Sequence, residues 1–245
     1  MNYGVQLYSV RDSVKENGMR ETLRRVAEIG YKSVEFAGFG DATAEEVRVW
    51  LDEFGLSVNG SHNGIKDLMP DKIEKTIADM KAVGNTHIII PWASVKTQAE
   101  IDEFLASLTT ALPRLREAGF SVGFHNHDKE YLENKDGIVP MSLLEGVDGL
   151  FFELDTYWAY HAGLDPVTEM ERMGDRLKMI HIKDGIPALG YDGGKPLGQG
   201  TAPVKAVWEK AVALGLPIIV ESETLTPDGM TEITQCIEYL RSLEL

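Results

Sequence analysis

The 245 residues are 43% hydrophobic and 26% charged, an ordinary globular balance, and at roughly 150 residues per domain they make one or two domains. The 24 basic and 39 acidic residues leave a formal charge of −15, a surface that repels phosphate backbones and anionic lipid, so neither a nucleic-acid nor a membrane partner is expected. A single cysteine, Cys236, excludes a disulfide framework and a multi-cysteine metal cluster and fits a reducing, cytoplasmic location. Met1–Tyr8 lacks the cationic and apolar regions of a signal peptide, and no run of ~18 apolar residues offers a membrane span.

Short apolar, β-branched runs then alternate with longer amphipathic segments. In chain order, a strand is predicted over Tyr3–Tyr8 and a helix over Gly18–Ile29. Next come Ser33–Phe36 with Ala44–Phe54, Leu56–Ser61 with Pro70–Val83, and Thr86–Pro91 with Gln98–Ala118. Phe120–Asn126 pairs with Pro140–Glu145, Leu150–Asp155 with Pro166–Gly174, Met179–Ile182 with Pro203–Leu214, and Pro217–Glu221 with Thr231–Leu243. Several of these helices stop at a glycine that is followed by an apolar strand entry, as in Glu117-Ala118-Gly119-Phe120. No linker or low-complexity block divides the chain. Eight βα units of about 30 residues predict one (β/α)₈ TIM barrel over residues 1–245. The alternative, an open doubly wound sheet, wants a glycine-rich phosphate turn after the first strand. The residues there are Gln6-Leu7-Tyr8-Ser9-Val10-Arg11-Asp12.

A barrel places its active site at the C-terminal ends of the strands. The residues predicted there are Gln6, Tyr8, Glu35, His62, Trp92, His125, Asn126, His127, Asp155, His181, Lys183 and Glu221. Ligation of a divalent ion is the simplest account of His125, Asp155, His181 and Glu221, which end the fifth to eighth predicted strands, because mixed imidazole and carboxylate donors suit Mn²⁺, Co²⁺, Fe²⁺ or Zn²⁺. The structural reading stands beside it. A histidine at a strand end is more often a hydrogen-bonded residue than a ligand, Asp155 could cap the following segment, and Glu221 could pair with Lys183. His87 starts its strand and reads as structural, Trp208 and Cys236 sit on helices and read as core, and His161 is open between the two readings. Gly185–Gly200, with six glycines in sixteen residues, is either a segment that closes over a ligand or a flexible excursion. No phosphate-binding loop and no serine-nucleophile elbow is present.

With these residues the chain resembles the xylose isomerase-like TIM-barrel superfamily, the sugar phosphate isomerase/epimerase group, over essentially its whole length. The landmarks are Gly4-Val5-Gln6-Leu7-Tyr8-Ser9-Val10-Arg11-Asp12, Phe124-His125-Asn126-His127-Asp128, Glu153-Leu154-Asp155-Thr156-Tyr157-Trp158, His161-Ala162-Gly163-Leu164-Asp165-Pro166, Ile180-His181-Ile182-Lys183-Asp184, Leu197-Gly198-Gln199-Gly200 and Val220-Glu221. The resemblance implies one divalent ion on His125, Asp155, His181 and Glu221, with Mn²⁺ ahead of Co²⁺ and Zn²⁺. It implies a metal-dependent isomerase or epimerase for a small keto or aldo sugar or a cyclitol, working through an enediolate, and a homodimer. Glu221, His127 or His125 would move the proton, and Lys183 would bond the developing oxyanion. Gln6, Arg11 and Glu35 would contact distal hydroxyls. His62 and Glu130 are placed near substrate oxygens, Glu130 alternatively as a solvated loop residue. Tyr8 joins them at the mouth, and Trp92 and Trp158 would face a sugar ring or merely line the rim. The only obvious cations near the mouth are Arg11, Lys183 and Lys195, so an unphosphorylated substrate is expected.

The ketose 3-epimerase branch carries a glutamate where this chain has His125, so a two-glutamate proton transfer is in doubt. That departure favours the alternative of a lyase or dehydratase, as in members acting on inosose or 3-keto-glycosides. The apurinic endonuclease branch fits poorly. Trp158, Pro91-Trp92 and Gln199 replace ligands of its three-metal cluster. A non-catalytic sugar-binding barrel is the third reading.

Overall fold

The structure, a computed structural model, describes residues 1–245. Eight parallel strands close into a barrel: β1 (Gly4–Gln6), β2 (Ser33–Phe36), β3 (Ser57–His62), β4 (His87–Ile90), β5 (Ser121–His125), β6 (Phe151–Asp155), β7 (Leu177–Ile182) and, eighth around the barrel, β10 (Ile218–Val220). Each pairs with its neighbour, and β10 pairs with β1 to complete the circle. The main outer helices are α1 (Arg11–Ile29), α2 (Ala44–Phe54), α3 (Ile73–Ala82), α4 (Gln98–Glu117), α5 (Pro140–Leu144), α6 (Thr156–His161), α7 (Pro166–Met173), α8 (Val204–Leu214) and α9 (Gly229–Leu243). No helix is long and apolar enough to cross a membrane.

The barrel wall reads as near-continuous apolar runs because parallel strands are buried on both faces. Outward-facing residues such as Val34, Ile88, Ile90, Phe124, Leu154 and Ile180 join the helices in one large core. Inward, Ile89, Phe151, Met179 and Ile219 form a separate apolar layer. Phe151 has room there only because its neighbour across β5 is Gly123, where a Cβ would lie 2.3 Å from the Phe151 ring. Side chains two apart on a strand share a face. Moving toward the C-terminal ends from this layer, Phe151 is therefore followed by Glu153 and Asp155, Met179 by His181, Gly123 by His125, and Ile219 by Glu221. The inward face of four adjacent strands turns from apolar to titratable within one residue pair. His87, at the opposite end, sets its ring edge-on to Phe151 at 5.7 Å, a packing role.

Four segments depart from the sequence expectation. The first strand stops at Gln6 instead of Tyr8, because a 3₁₀ turn over Leu7–Val10 begins there, capped by the Gln6 side chain. The following helix starts at Arg11 rather than Gly18 and breaks at Gly18 itself, whose φ of 78° is open to glycine. Residues Thr156–His161 form α6, which Asp155 caps by accepting from the Trp158 amide at 2.8 Å. The glycine-rich segment 185–200 folds as a strap. Asp184–Gly185 (β8) and Gly194–Lys195 (β9) pair antiparallel around a 3₁₀ turn at Pro187–Gly193.

Candidate metal centre

Four strand ends converge at the mouth. His125, Asp155, His181 and Glu221 bring one donor atom each to within 4.8 Å of one another, and all four are buried. The register accounts for this: Asp155 lies opposite His181, and His125 lies opposite Glu153 one pleat below Asp155. The two roles foreseen for Asp155 are compatible. One carboxylate oxygen caps α6, while the other, Oδ2, is buried without a hydrogen-bond partner. A buried carboxylate oxygen with nothing to accept from is costly. Two imidazoles and two carboxylates around it form the donor set a borderline divalent ion takes. The residues present therefore fit a metal.

The electrostatics point the same way. Burial, with the Glu221 charge, pushes the Asp155 carboxyl up to about 7. Burial works to raise Glu221 too, but His181, Lys183 and His125 hold it well below the usual carboxylate range. Burial lowers His125 to about 4. Lys183, 2% exposed, loses stability as a cation through burial, yet Glu223, Glu221 and Asp155 keep it charged and raise its pKa. Its Nζ pairs with Glu223 and lies 4.0 Å from Glu221, so Glu223, not Glu221, is its nearer partner.

Above the cluster opens a cleft of about 380 Å³ lined by Tyr8, Ala37, His62, Pro91, Trp92, His125, His127, Glu221 and Glu223. Tyr8 and Trp92 are exposed, with Lys129 Nζ 4.0 Å from the Trp92 ring centroid. His127 contributes an Nδ1 that is buried and unpartnered, and burial lowers its pKa to about 2.

Other residues foreseen as substrate contacts lie elsewhere. Gln6 and Glu35 are fully buried below the cluster and bonded to each other at 2.7 Å. Arg11 lies over the Tyr8 ring and donates to the carbonyls of Tyr8 and Glu223, so it ties the first and last strand ends together. It lines a separate groove with Lys15, Arg20 and Trp50. Glu130 is not a solvated loop residue: it is 0% exposed and accepts from the His127 amide at 2.8 Å, bracing the loop after β5. Trp158 is buried against Lys183, His127 and His161 rather than presenting a free face. His161 pairs with Asp128 at 3.0 Å and stacks on Tyr191, which donates to Asp128 from the strap. Two residues of the centre went unnoticed in the sequence, Glu153 and Glu223. The spacing Phe151-Glu153-Asp155 was the available signal, since period two places all three on the inward face.

The model of the family described as xylose isomerase-like TIM barrel matches residues 23–243. An inosose dehydratase from Geobacillus kaustophilus is 20% identical over 188 residues, 67% of this chain and 61% of that protein, so the match spans less than two thirds of the relative's length. Among solved structures, a sugar phosphate isomerase/epimerase from Parabacteroides distasonis superposes with a TM-score of 0.82 at 24% identity, covering 98% of this chain and 97% of its own. An L-ribulose 3-epimerase superposes with a TM-score of 0.72 at 16% identity, covering 99% and 94%. At these identities the structural likenesses show a shared fold. The family match covers nearly all of the chain, and the protein belongs to the xylose isomerase-like TIM-barrel family.

Proposed function

We propose that this protein is a metal-dependent isomerase or epimerase of a small unphosphorylated keto sugar or cyclitol. The observation that carries the reading is the buried His125–Asp155–His181–Glu221 cluster, with an orphaned Asp155 oxygen, directly below a sugar-sized cleft. A divalent ion held by those four residues would polarise a carbonyl and make the neighbouring C–H more acidic. Glu221, which lines the cleft, takes that proton. The charged Nζ of Lys183, fixed between Glu223 and Glu221, offers a donor to the oxyanion that develops. Glu221 then hands that proton back, while the free ring nitrogen of neutral His127 accepts a hydrogen bond from a substrate hydroxyl at the same wall. Return to the adjacent carbon isomerises the sugar, and return to the opposite face epimerises it. Trp92 gives the ring a flat apolar surface. Apart from Lys183, whose charge is already paired with Glu223, the cleft lining adds no lysine or arginine, which supports a substrate without phosphate.

One observation favours a second reading, β-elimination. The cluster's fifth-strand residue is His125, so Glu221 is the only glutamate among the four donors, and a single carboxylate base suffices to expel a β-oxygen from the same enolate. The dehydratase relative is in keeping with this. The test is to load the protein with Mn²⁺, Co²⁺ or Zn²⁺ and incubate it in D₂O with keto sugars, inososes and 3-keto-glycosides. Deuterium incorporation at constant carbon skeleton and composition supports isomerisation or epimerisation. Loss of water or alcohol assigns a lyase, and absence of both exchange and release for every metal rejects enolisation.

A further inference from the structure

A second group of titratable side chains overlaps the four candidate ligands and adds His62 and Glu153, which the proposed chemistry does not use. His62, His125, Glu153 and His181 also bring donor atoms within 4.8 Å of one another. His125 and His181 thus belong to both groups. A neutral imidazole has one lone pair for a metal and one N–H to donate. Ions in both rings would require both histidines to be fully deprotonated bridges.

The atom pairs divide the rings differently. His125 Nδ1 lies 3.2 Å from Glu153 Oε2. His181 Nε2 lies 2.7 Å from Glu35 Oε2 and 3.2 Å from Glu153 Oε2, while its Nδ1 lies 3.1 Å from Glu221, a member of the upper group. His62 joins the two lower carboxylates: its Nε2 is 2.8 Å from Glu153 and 3.2 Å from Glu35, and its ring stacks on His181 at 5.4 Å. Gln6 fixes Glu35 from the other side at 2.7 Å. Glu35 and Glu153 are both 0% exposed, and the second oxygen of each has no partner. All their bonding is directed at imidazoles or at Gln6.

We propose that Glu153 and Glu35, linked through His62, are positioning residues that accept the Nδ1–H of His125 and the Nε2–H of His181. This leaves His125 Nε2 and His181 Nδ1 as the metal-facing nitrogens. A carboxylate behind a ligating histidine fixes its tautomer and ring angle and raises its basicity. The inference rests on the metal-centre reading above, and it makes the lower ring a brace, not a second metal site.

The test uses the full chain, stripped by chelation, with Zn²⁺ and Co²⁺ as probes. Wild type, Glu153→Gln, Glu35→Gln and the ligand control Asp155→Asn are compared. Ions per chain are counted by elemental mass spectrometry, Zn²⁺ affinity is measured by competition with a chromophoric chelator, and the Co²⁺ visible spectrum reports ligand geometry. One ion per wild-type chain is expected. Affinity should fall about 10–100-fold in each glutamine variant, with an altered Co²⁺ spectrum. Two ions per wild-type chain overturn the inference in favour of a second site. One ion with unchanged affinity and spectrum in both glutamine variants overturns it while the metal centre stands. No ion in the wild type overturns both. Where a glutamine variant does not fold, long-range ¹H–¹⁵N spectra of Zn²⁺-loaded wild type decide. Metallation at His125 Nδ1 or His181 Nε2 overturns the assignment.

Discussion

Glu130 is a carboxylate sealed under the loop that carries His127, with Oε2 on the His127 amide and Oε1 unpartnered. Burial pushes it up to about 7, against the nearby Lys129. Its folded pKa thus lies above its unfolded value, so the native state holds the proton longer. Stability from this group is full below about pH 4 and falls as pH rises to about 7, after which the loss is constant. Glu130→Gln keeps the shape and removes the ionisation. Its stability relative to wild type should rise between pH 4.5 and 7 by on the order of 3 kcal/mol and then level off, read from urea unfolding at each pH. Equal pH profiles for the two proteins would show that Glu130 is not the buried acid described. Lys183 makes the complementary case for the proposed chemistry. Lys183→Met should lower kcat about 10²–10³-fold at saturating metal with the fold intact. A loss confined to KM would move Lys183 from oxyanion contact to binding. Strand-end position alone brought Lys183, His125 and Asp155 into view from the sequence. That Glu35 and Glu130 are fully enclosed was not legible, because a glutamate at or just past a strand end looks the same in sequence whether it faces the cleft or is buried.

At the level of elements, strand periodicity carried most of the information. The runs around Ser33–Phe36 and Phe151–Asp155 recur as β2 and β6 with little change, because β-branched and aromatic residues bounded by turns have few other ways to pack. The C-terminal end of β1 and the start of α1 were illegible. They depend on a side-chain cap from Gln6 and on a break at Gly18, and neither leaves a periodic trace. The strap over 185–200 was equally hidden, because its order comes from one carboxylate. Asp184 accepts from the amides of Gly185 at 2.7 Å, Gly198 and Gly200 at 2.9 Å each, and Ala202 at 3.1 Å. Removing the charged acceptor strands one buried amide, worth about 1–3 kcal/mol, and releases three part-buried ones. Asp184→Ala should therefore destabilise the protein by at least ~2 kcal/mol in urea, and limited proteolysis should open new cuts within 185–200. Unchanged protection would mean that the strap is held from its other side, through Tyr191. Gly123 tests the barrel interior in the same way. Gly123→Ala drives a methyl into Phe151 and should cost about 1–3 kcal/mol.

For the whole molecule, the closed barrel was legible because eight repeats of one unit leave few topologies, and closure brings distant strand ends together. The convergence of His125, Asp155, His181 and Glu221 over nearly 100 positions of sequence follows from that closure. What closure costs is a mouth crowded with buried carboxylates on a chain already at −15. Like charges brought together out of water repel strongly, and a divalent cation is the natural relief. An ion that binds only the folded chain adds about 2.7 kcal/mol when present at 100 times its dissociation constant. For a protein of this size that corresponds to a rise in Tm of about 5–10 °C. The shift should appear with Mn²⁺, Co²⁺ or Zn²⁺, reverse with a chelator, and vanish in Asp155→Asn, whose carboxamide no longer offers an anionic oxygen to the cluster. A wild-type Tm indifferent to all three ions would leave the carboxylates neutralised by Lys183 and the buried histidines, and the barrel mouth would then be a hydrogen-bonded plug, not a metal centre.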